Sequence, residues 1–278
     1  MHIGVMIFDT DYSMPVNELA IALEDRGFES LFVPEHTHIP ASRESAWPGG
    51  ADLPRDYWHT FDPFVSLSFA AAATTALKVG TGICLLPQRD AIVTAKLVAS
   101  LDRMSGGRFL FGVGGGWNKE EMAHHGVAYN QRFARMEEQV AAMKGLWTEE
   151  EFGHSGEHVN FTPSWAHPKP AQSPHPPILL GGETDYTLNR VVKYCDGWLP
   201  RARHGFDAAL NMARLREKAE SAGRSMDTLS VTVFGAPGDS ATLDSYQEAG
   251  VERALLGLPS ADRDTVLPML DRYQALLP

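Results

Sequence analysis

The side chains best suited to chemistry sit just past short apolar runs. SLFVP, residues 30–34, reads as a buried strand and hands over to Glu35, His36 and His38, so a carboxylate and two imidazoles gather at the carboxyl end of that strand. Imidazole is the side chain whose charge changes closest to neutrality, which makes this the one pronounced acid–base grouping in the chain. A second concentration is of glycine. Gly80, Gly82, Gly112, Gly114, Gly115 and Gly116 carry no Cβ, so a flat ring or a phosphate could approach the backbone there, although any one of them can equally serve a turn or a packing contact. Residues 112–117 do not make a dinucleotide fingerprint, because Trp117 stands where the third glycine is required.

Three further groups have the composition of binding sites. Gly181-Gly182 precedes Glu183-Thr184-Asp185 and a helix whose free amides could hold phosphate oxygens, or Thr184 or Asp185 could simply cap it. Arg201, Arg203 and His204 follow another strand and could bind an anion, or merely face water. His154, Glu157 and His158 have metal-like spacing, but that spacing needs a helix and Gly156 interrupts it, so no metal is expected.

The elements that must position these groups alternate regularly. Strands are expected from near His2, Ser30, Lys78, Arg108, Pro177, Asp196, Leu229 and Arg253, nearly all followed by helices. Asp62-Pro63 and Asp90 read as helix starts, and Gly27 and Gly106-Gly107 as helix stops. The apolar run Val79–Leu86 is taken as one strand. In the following helix Val93, Leu97, Leu101 and Met104 are expected to form the buried face. Two stretches break the rhythm: a proline-studded loop with Trp47, Tyr57, Trp58 and His59, and a hairpin over 151–161 followed by six prolines. Eight such units in 278 residues predict a single α/β domain, a (β/α)8 TIM barrel with insertions at about 36–61 and 148–176 and its site at the carboxyl ends of the strands.

Composition excludes other classes. A net charge of −11 argues against nucleic acid or an anionic membrane surface as the main partner. Apolar runs are too short for a membrane span. Two cysteines, Cys84 and Cys195, make no disulfide framework, so a reducing, cytoplasmic setting is expected.

PEHTHIP (34–40), VGTGICLLPQRDAIVTAK (79–96), ASLDRMSGGRFLFGVGGGWNKEE (99–121), and PPILLGG (176–182) with DGWLP (196–200) together resemble the luciferase-like monooxygenase superfamily, in the branch that uses coenzyme F420, a deazaflavin. The resemblance implies a non-proline cis peptide at Gly82-Ile83 behind the cofactor ring, Glu35 and His36 near ring and substrate, Asn118 bonding the cofactor, and Gly181-Gly182 receiving its phosphate. It further implies hydride transfer between ring carbon C5 and an unidentified small organic substrate, with His36 giving or taking the oxygen-bound proton. His38, Trp47, Trp58 and His59 are then candidates for the substrate pocket, and a homodimer is expected. Two alternatives remain open: an FMN-dependent monooxygenase on the same fold, and a flavin-binding barrel without catalysis.

Overall fold

The computed structural model describes residues 1–50, 52–202 and 205–278. In chain order the elements are β1 (His2–Met6), α1 (Val16–Arg26), β2 (Ser30–Val33), α2 (Pro63–Ala72), β3 (Lys78–Thr81), α3 (Ala91–Met104), β4 (Phe109–Val113), α4 (Lys119–His124) and α5 (Arg132–Thr148). There follow β5 (Phe152–Ser155), β6 (Asn160–Ser164), β7 (Ile178–Gly181), α6 (Asp185–Tyr194), β8 (Gly197–Leu199), α7 (Ala208–Ser221), β9 (Ser230–Ala236), α8 (Ser240–Ala249), β10 (Arg253–Gly257) and α9 (Arg263–Gln274). Eight parallel strands close in the order β1-β10-β9-β8-β7-β4-β3-β2, with helices around them. This is the (β/α)8 barrel that the alternation predicts. Strands β5 and β6 form a separate antiparallel hairpin between α5 and β7.

Local chemistry explains where the elements start and stop. The Asp62 carboxylate accepts hydrogen bonds from the amides of Phe64 and Val65, and Asp90 from that of Val93, so both expected caps form. Gly27 closes α1 at φ +84°, a conformation that costs other residues a Cβ clash. At the amino-terminal end of the barrel the buried Arg253 guanidinium donates to Glu29 at 2.6 and 2.7 Å and to Thr232 at 3.1 Å. The barrel interior is filled by Met6, Phe32, Leu110, Leu179, Leu199 and Leu255.

Two expectations need correction. The third strand does not run to Leu86. It ends at Thr81, the Gly82–Ile83 peptide is cis as the resemblance implies, and residues 82–85 turn inward, held by bonds from Gly82 N to Val33 O and from Cys84 N to Gly112 O, both 2.8 Å. The buried face of α3 agrees with the expected one only in part, at Leu101 and the half-buried Leu97. Val93 is 58% and Met104 84% exposed, while Ala91, Thr94, Ala95, Val98, Ala99, Leu101 and Asp102 face inward. Small side chains let this helix lie close to α5, where Trp147 Nε1 donates to Ala95 O at 3.0 Å. Asp102 is buried because its carboxylate accepts from the backbone amides of Ala171 and Gln172 and from Gln172 Nε2. A carboxylate satisfied in this way disrupts the apolar period that marks a buried face.

Candidate active site

The carboxyl ends of the strands surround a cavity of about 740 Å³. Its floor is the top layer of the barrel interior, with Met6, Phe8, Ile83, Leu199 and Phe234 on its wall. Glycine shapes one side. A Cβ on Gly114 would lie 1.8 Å from Ile83 Cδ1, and one on Gly181 3.1 Å from Ile83 Cγ2, so Ile83 keeps its place against the cavity only because side chains are missing there. Gly82, Gly115, Gly116, Gly181 and Gly182 line the same space.

His36 opens onto the cavity from the end of β2 and is 8% exposed. Its Nδ1 meets Oε2 of the fully buried Glu121 at 2.8 Å. That contact leaves Nε2 as the ring nitrogen available to the cavity. Around it stand Tyr57, with ring centroids 5.3 Å apart, and Trp117, edge-on at 5.8 Å. A carboxylate on one imidazole nitrogen fixes ring orientation and strengthens the other as a proton donor or acceptor, the arrangement that general acid–base chemistry requires.

Glu35 also lies on the wall, but its carboxylate is committed elsewhere. Oε2 accepts from Leu85 N at 2.7 Å and Oε1 from Arg89 Nε at 2.7 Å, while Arg89 Nη2 reaches Asp62 Oδ2 at 2.7 Å. The carboxylate therefore ties the inward turn after β3 to the end of β2. Burial, with the Glu35 charge next to it, pushes the Cys84 thiol well up, so this cysteine is a neutral packing group.

The stretch of cavity wall beside α6 carries two arginines. Gly181 and Gly182 lead into α6, which Thr184 caps by accepting from Thr187 N. Arg132 and Arg190 both line this stretch, with the Phe133 ring 4.3 and 4.0 Å from their guanidinium carbons. Burial, with the Arg190 charge nearby, pulls the Arg132 guanidinium below its ordinary value despite Tyr129. Its Nε is buried without a hydrogen-bond partner. An orphaned guanidinium donor on the cavity wall is suited to an anionic group. Arg201, by contrast, is paired with Glu183 through two 2.7 Å bonds; Arg203 and His204 lie outside the described residues.

The structure thus brings Glu35, His36, Gly82, Ile83, Gly181 and Gly182 to one cavity. Asn118 is not on its wall: its Oδ1 accepts from Glu121 N and caps α4. None of His38, Trp47, Trp58 and His59 lines the cavity. His38 stacks on His124, Trp47 packs edge-on to Tyr57, Trp58 is 48% exposed, and His59 bonds Asp11 at 2.8 Å. The same loop contributes Pro48 and Tyr57 instead. His154 and Glu138 approach to 3.5 Å, and Glu138 accepts from the amides of His158 and Val159, which fixes the hairpin to α5. No cluster suited to a metal ion occurs among the described residues.

The sequence reading missed Glu121, Trp117, Arg132, Arg190 and Phe234. Glu121 was hidden because Asn118-x-x-Glu121 at a helix start is a capping box, which accounts for both residues without a site. For Trp117 the signal was present, an aromatic ending a glycine run at the carboxyl end of a strand.

Parallel barrels work at this rim, where this cavity opens. Residues 11–264 match the luciferase-like monooxygenase family, and the chain belongs to it. It is 38% identical over 283 residues, 100% of this chain and 99% of the relative, to an uncharacterized protein of Mycobacterium tuberculosis. An FMNH2-dependent dimethylsulfone monooxygenase of Pseudomonas putida is 31% identical over 166 residues, 58% of this chain and 46% of that enzyme. The fold matches the structure of an F420-dependent secondary alcohol dehydrogenase in complex with an F420-acetone adduct, with a TM-score of 0.78, 18% identity and coverage of 100% and 98% of the two chains. No helix among the described residues is long and apolar enough to cross a membrane.

Proposed function

We propose that this protein is a coenzyme F420-dependent oxidoreductase acting on a small alcohol or carbonyl compound. The observation that carries it is the His36–Glu121 pair: a buried, oriented imidazole at the glycine-walled end of the cavity suits a reaction in which a proton and a hydride move separately. A bound deazaflavin supplies the hydride chemistry at its ring carbon C5. The chain's own residues do the rest. Ile83 and the glycines opposite it form the wall for the ring. Gly181, Gly182, Arg132 and Arg190 hold the phosphate end, and His36 Nε2 exchanges the proton with the substrate oxygen. Glu35 acts by holding the 82–85 turn in place.

The full-length fold match to a dehydrogenase of alcohols supports this choice. The relative that uses FMNH2 supports a second reading, an FMN-dependent monooxygenase in the same cavity. Titrating the protein with each cofactor and following fluorescence quenching separates the two: tight deazaflavin binding followed by alcohol-dependent reduction is expected, and FMN binding without deazaflavin affinity overturns it. His36→Ala is expected to keep cofactor binding and lose turnover. A cytoplasmic location and a homodimer belong to the same proposal. The outer faces of α2 and α3 expose Val65, Phe69, Ile92 and Val93, an apolar patch of the kind that pairs subunits, and sedimentation is expected to give twice the chain mass.

A further inference from the structure

Behind His36, on the side away from the cavity, hydrogen-bonding groups continue to the surface. Glu121 turns Oε2 to His36 Nδ1 at 2.8 Å, and its Oε1 accepts from Thr37 N at 3.2 Å and from Thr37 Oγ1 at 3.5 Å. The Thr37 hydroxyl contacts His125 Nε2 at 2.8 Å and His38 Nδ1 at 2.9 Å, and His38 Nε2 contacts His124 Nδ1 at 2.8 Å. Glu121 is fully buried, whereas Thr37, His124 and His125 are exposed, and none of the four lines the cavity. The path therefore begins at the reacting wall and reaches solvent at residues outside the cavity lining.

We propose that Glu121, Thr37 and the His38–His124–His125 cluster form a proton relay that connects His36 to bulk water while the cavity is filled. The relay rests on the function proposed above, in which His36 exchanges a proton with the substrate. In the direction of alcohol oxidation, the substrate O–H proton passes to His36 Nε2 as the Nδ1 proton moves to Glu121 Oε2. The Glu121 carboxyl, now neutral, turns about Cγ–Cδ so that this same proton faces Thr37 Oγ1, the Thr37 hydroxyl accepts it while passing its own proton to His125 Nε2, and His125 releases one to water, which leaves Glu121 a carboxylate again. One proton thus leaves the substrate and one reaches solvent, and the two electrons leave with the hydride carried by the deazaflavin. His36 ends as the other neutral tautomer, which water resets when the cavity opens. Carbonyl reduction runs the same path backwards. Desolvation, with the His38 charge beside it, lowers the His125 pKa, which keeps this imidazole ready to accept. Thr37 is the narrow point, because its hydroxyl is the one group joining the buried carboxylate to the imidazoles.

The test uses protein labelled with 15N-histidine, its cavity filled by whichever of F420 and FMN it binds. In the wild type a His36 Nδ1 proton bonded to Glu121 is expected, and its exchange with water is measured. Thr37→Val is expected to keep that resonance and slow its exchange about a hundredfold, with Thr37→Ser restoring the rate, as loss of one positioned proton-transfer group predicts. Unchanged exchange in Thr37→Val, or a rate that Thr37→Ser does not restore, overturns the relay. If Thr37→Val does not fold, the double variant His38→Phe/His125→Phe takes its place with the same expected slowing, and unchanged exchange there refutes the relay as well. Turnover is measured separately: Thr37→Val is expected to lower kcat about a hundredfold with KM unchanged and to raise the solvent deuterium isotope effect. Normal kcat in Thr37→Val sinks the relay. If no alcohol or carbonyl is turned over with F420 by the wild type, the proposed function fails while the exchange measurement still reports on the path.

Discussion

Glu35→Gln separates positioning from proton transfer more sharply than any other change at the site. The amide is isosteric with the carboxylate, so packing is preserved and only charge and donor–acceptor pattern change. Both carboxylate oxygens accept, one from Leu85 N and one from Arg89 Nε, each at 2.7 Å. Glutamine offers a single acceptor, so one of these donors must face an NH2 group. A buried donor left without an acceptor costs about 1–3 kcal/mol, and breaking a buried ion pair from one side about 3–5 kcal/mol. Arg89 retains Asp62 as a second partner, which places the expected loss near the bottom of the latter range, about 3 kcal/mol. Because Leu85 lines the cavity next to the 82–83 peptide, loosening that turn is also expected to weaken cofactor binding about tenfold, the equivalent of 1.4 kcal/mol. Urea denaturation at pH 7 measures the first quantity and fluorescence titration the second, while the pH profile of turnover keeps its shape. A Glu35→Gln protein with wild-type stability and cofactor affinity but no turnover would show that Glu35 transfers protons and that its role as a tether is misassigned.

Other consequences can be checked independently. Gly114→Val must displace Ile83, whose Cδ1 lies 1.8 Å from the added Cβ; loss of cofactor binding with the far-ultraviolet spectrum unchanged is expected, and normal affinity would remove Ile83 from the ring wall. Arg132→Met and Arg190→Met each remove a cation at the phosphate end, and affinity should fall about tenfold or more for the phosphorylated cofactor but little for its dephosphorylated form; equal losses for both would place the phosphate elsewhere. Stability should fall in acid through Glu29. Burial favours its neutral form, but Arg253 and Lys78 outweigh this and hold the carboxyl down to about 2 from 4.5. A depressed folded-state pKa contributes stability fully above 4.5 and loses it as pH falls from there toward 2, about 3 kcal/mol over the window. Denaturation of the wild type and of Glu29→Gln at pH 7 and pH 3 tests this, since the variant lacks that pH-dependent contribution.

What could be read from the sequence was governed by short-range physics. Cap residues such as Asp62 and Asp90 act on amides two or three positions away, and Gly27 acts on its own backbone, so the elements are legible from neighbours alone. The side chains of the site answer to distant partners. Glu35 meets Leu85 and Arg89, 50 and 54 positions on, and His36 meets Glu121 after 85. His59 was drawn off by Asp11, 48 positions earlier, and no local pattern distinguishes it from Tyr57, which does reach the cavity. The barrel nevertheless restricts these pairings. Strands β2, β3 and β4 are consecutive neighbours, so the residues just after each must share one arc of the rim. A basic or acidic side chain leaving β2 can be met from that arc by the turn after β3 or the segment after β4, and on its other side by the segment after β1. Glu35 takes the first and His36 the second, which is why a carboxylate that resembles an ordinary capping residue in sequence becomes the partner of the imidazole in space.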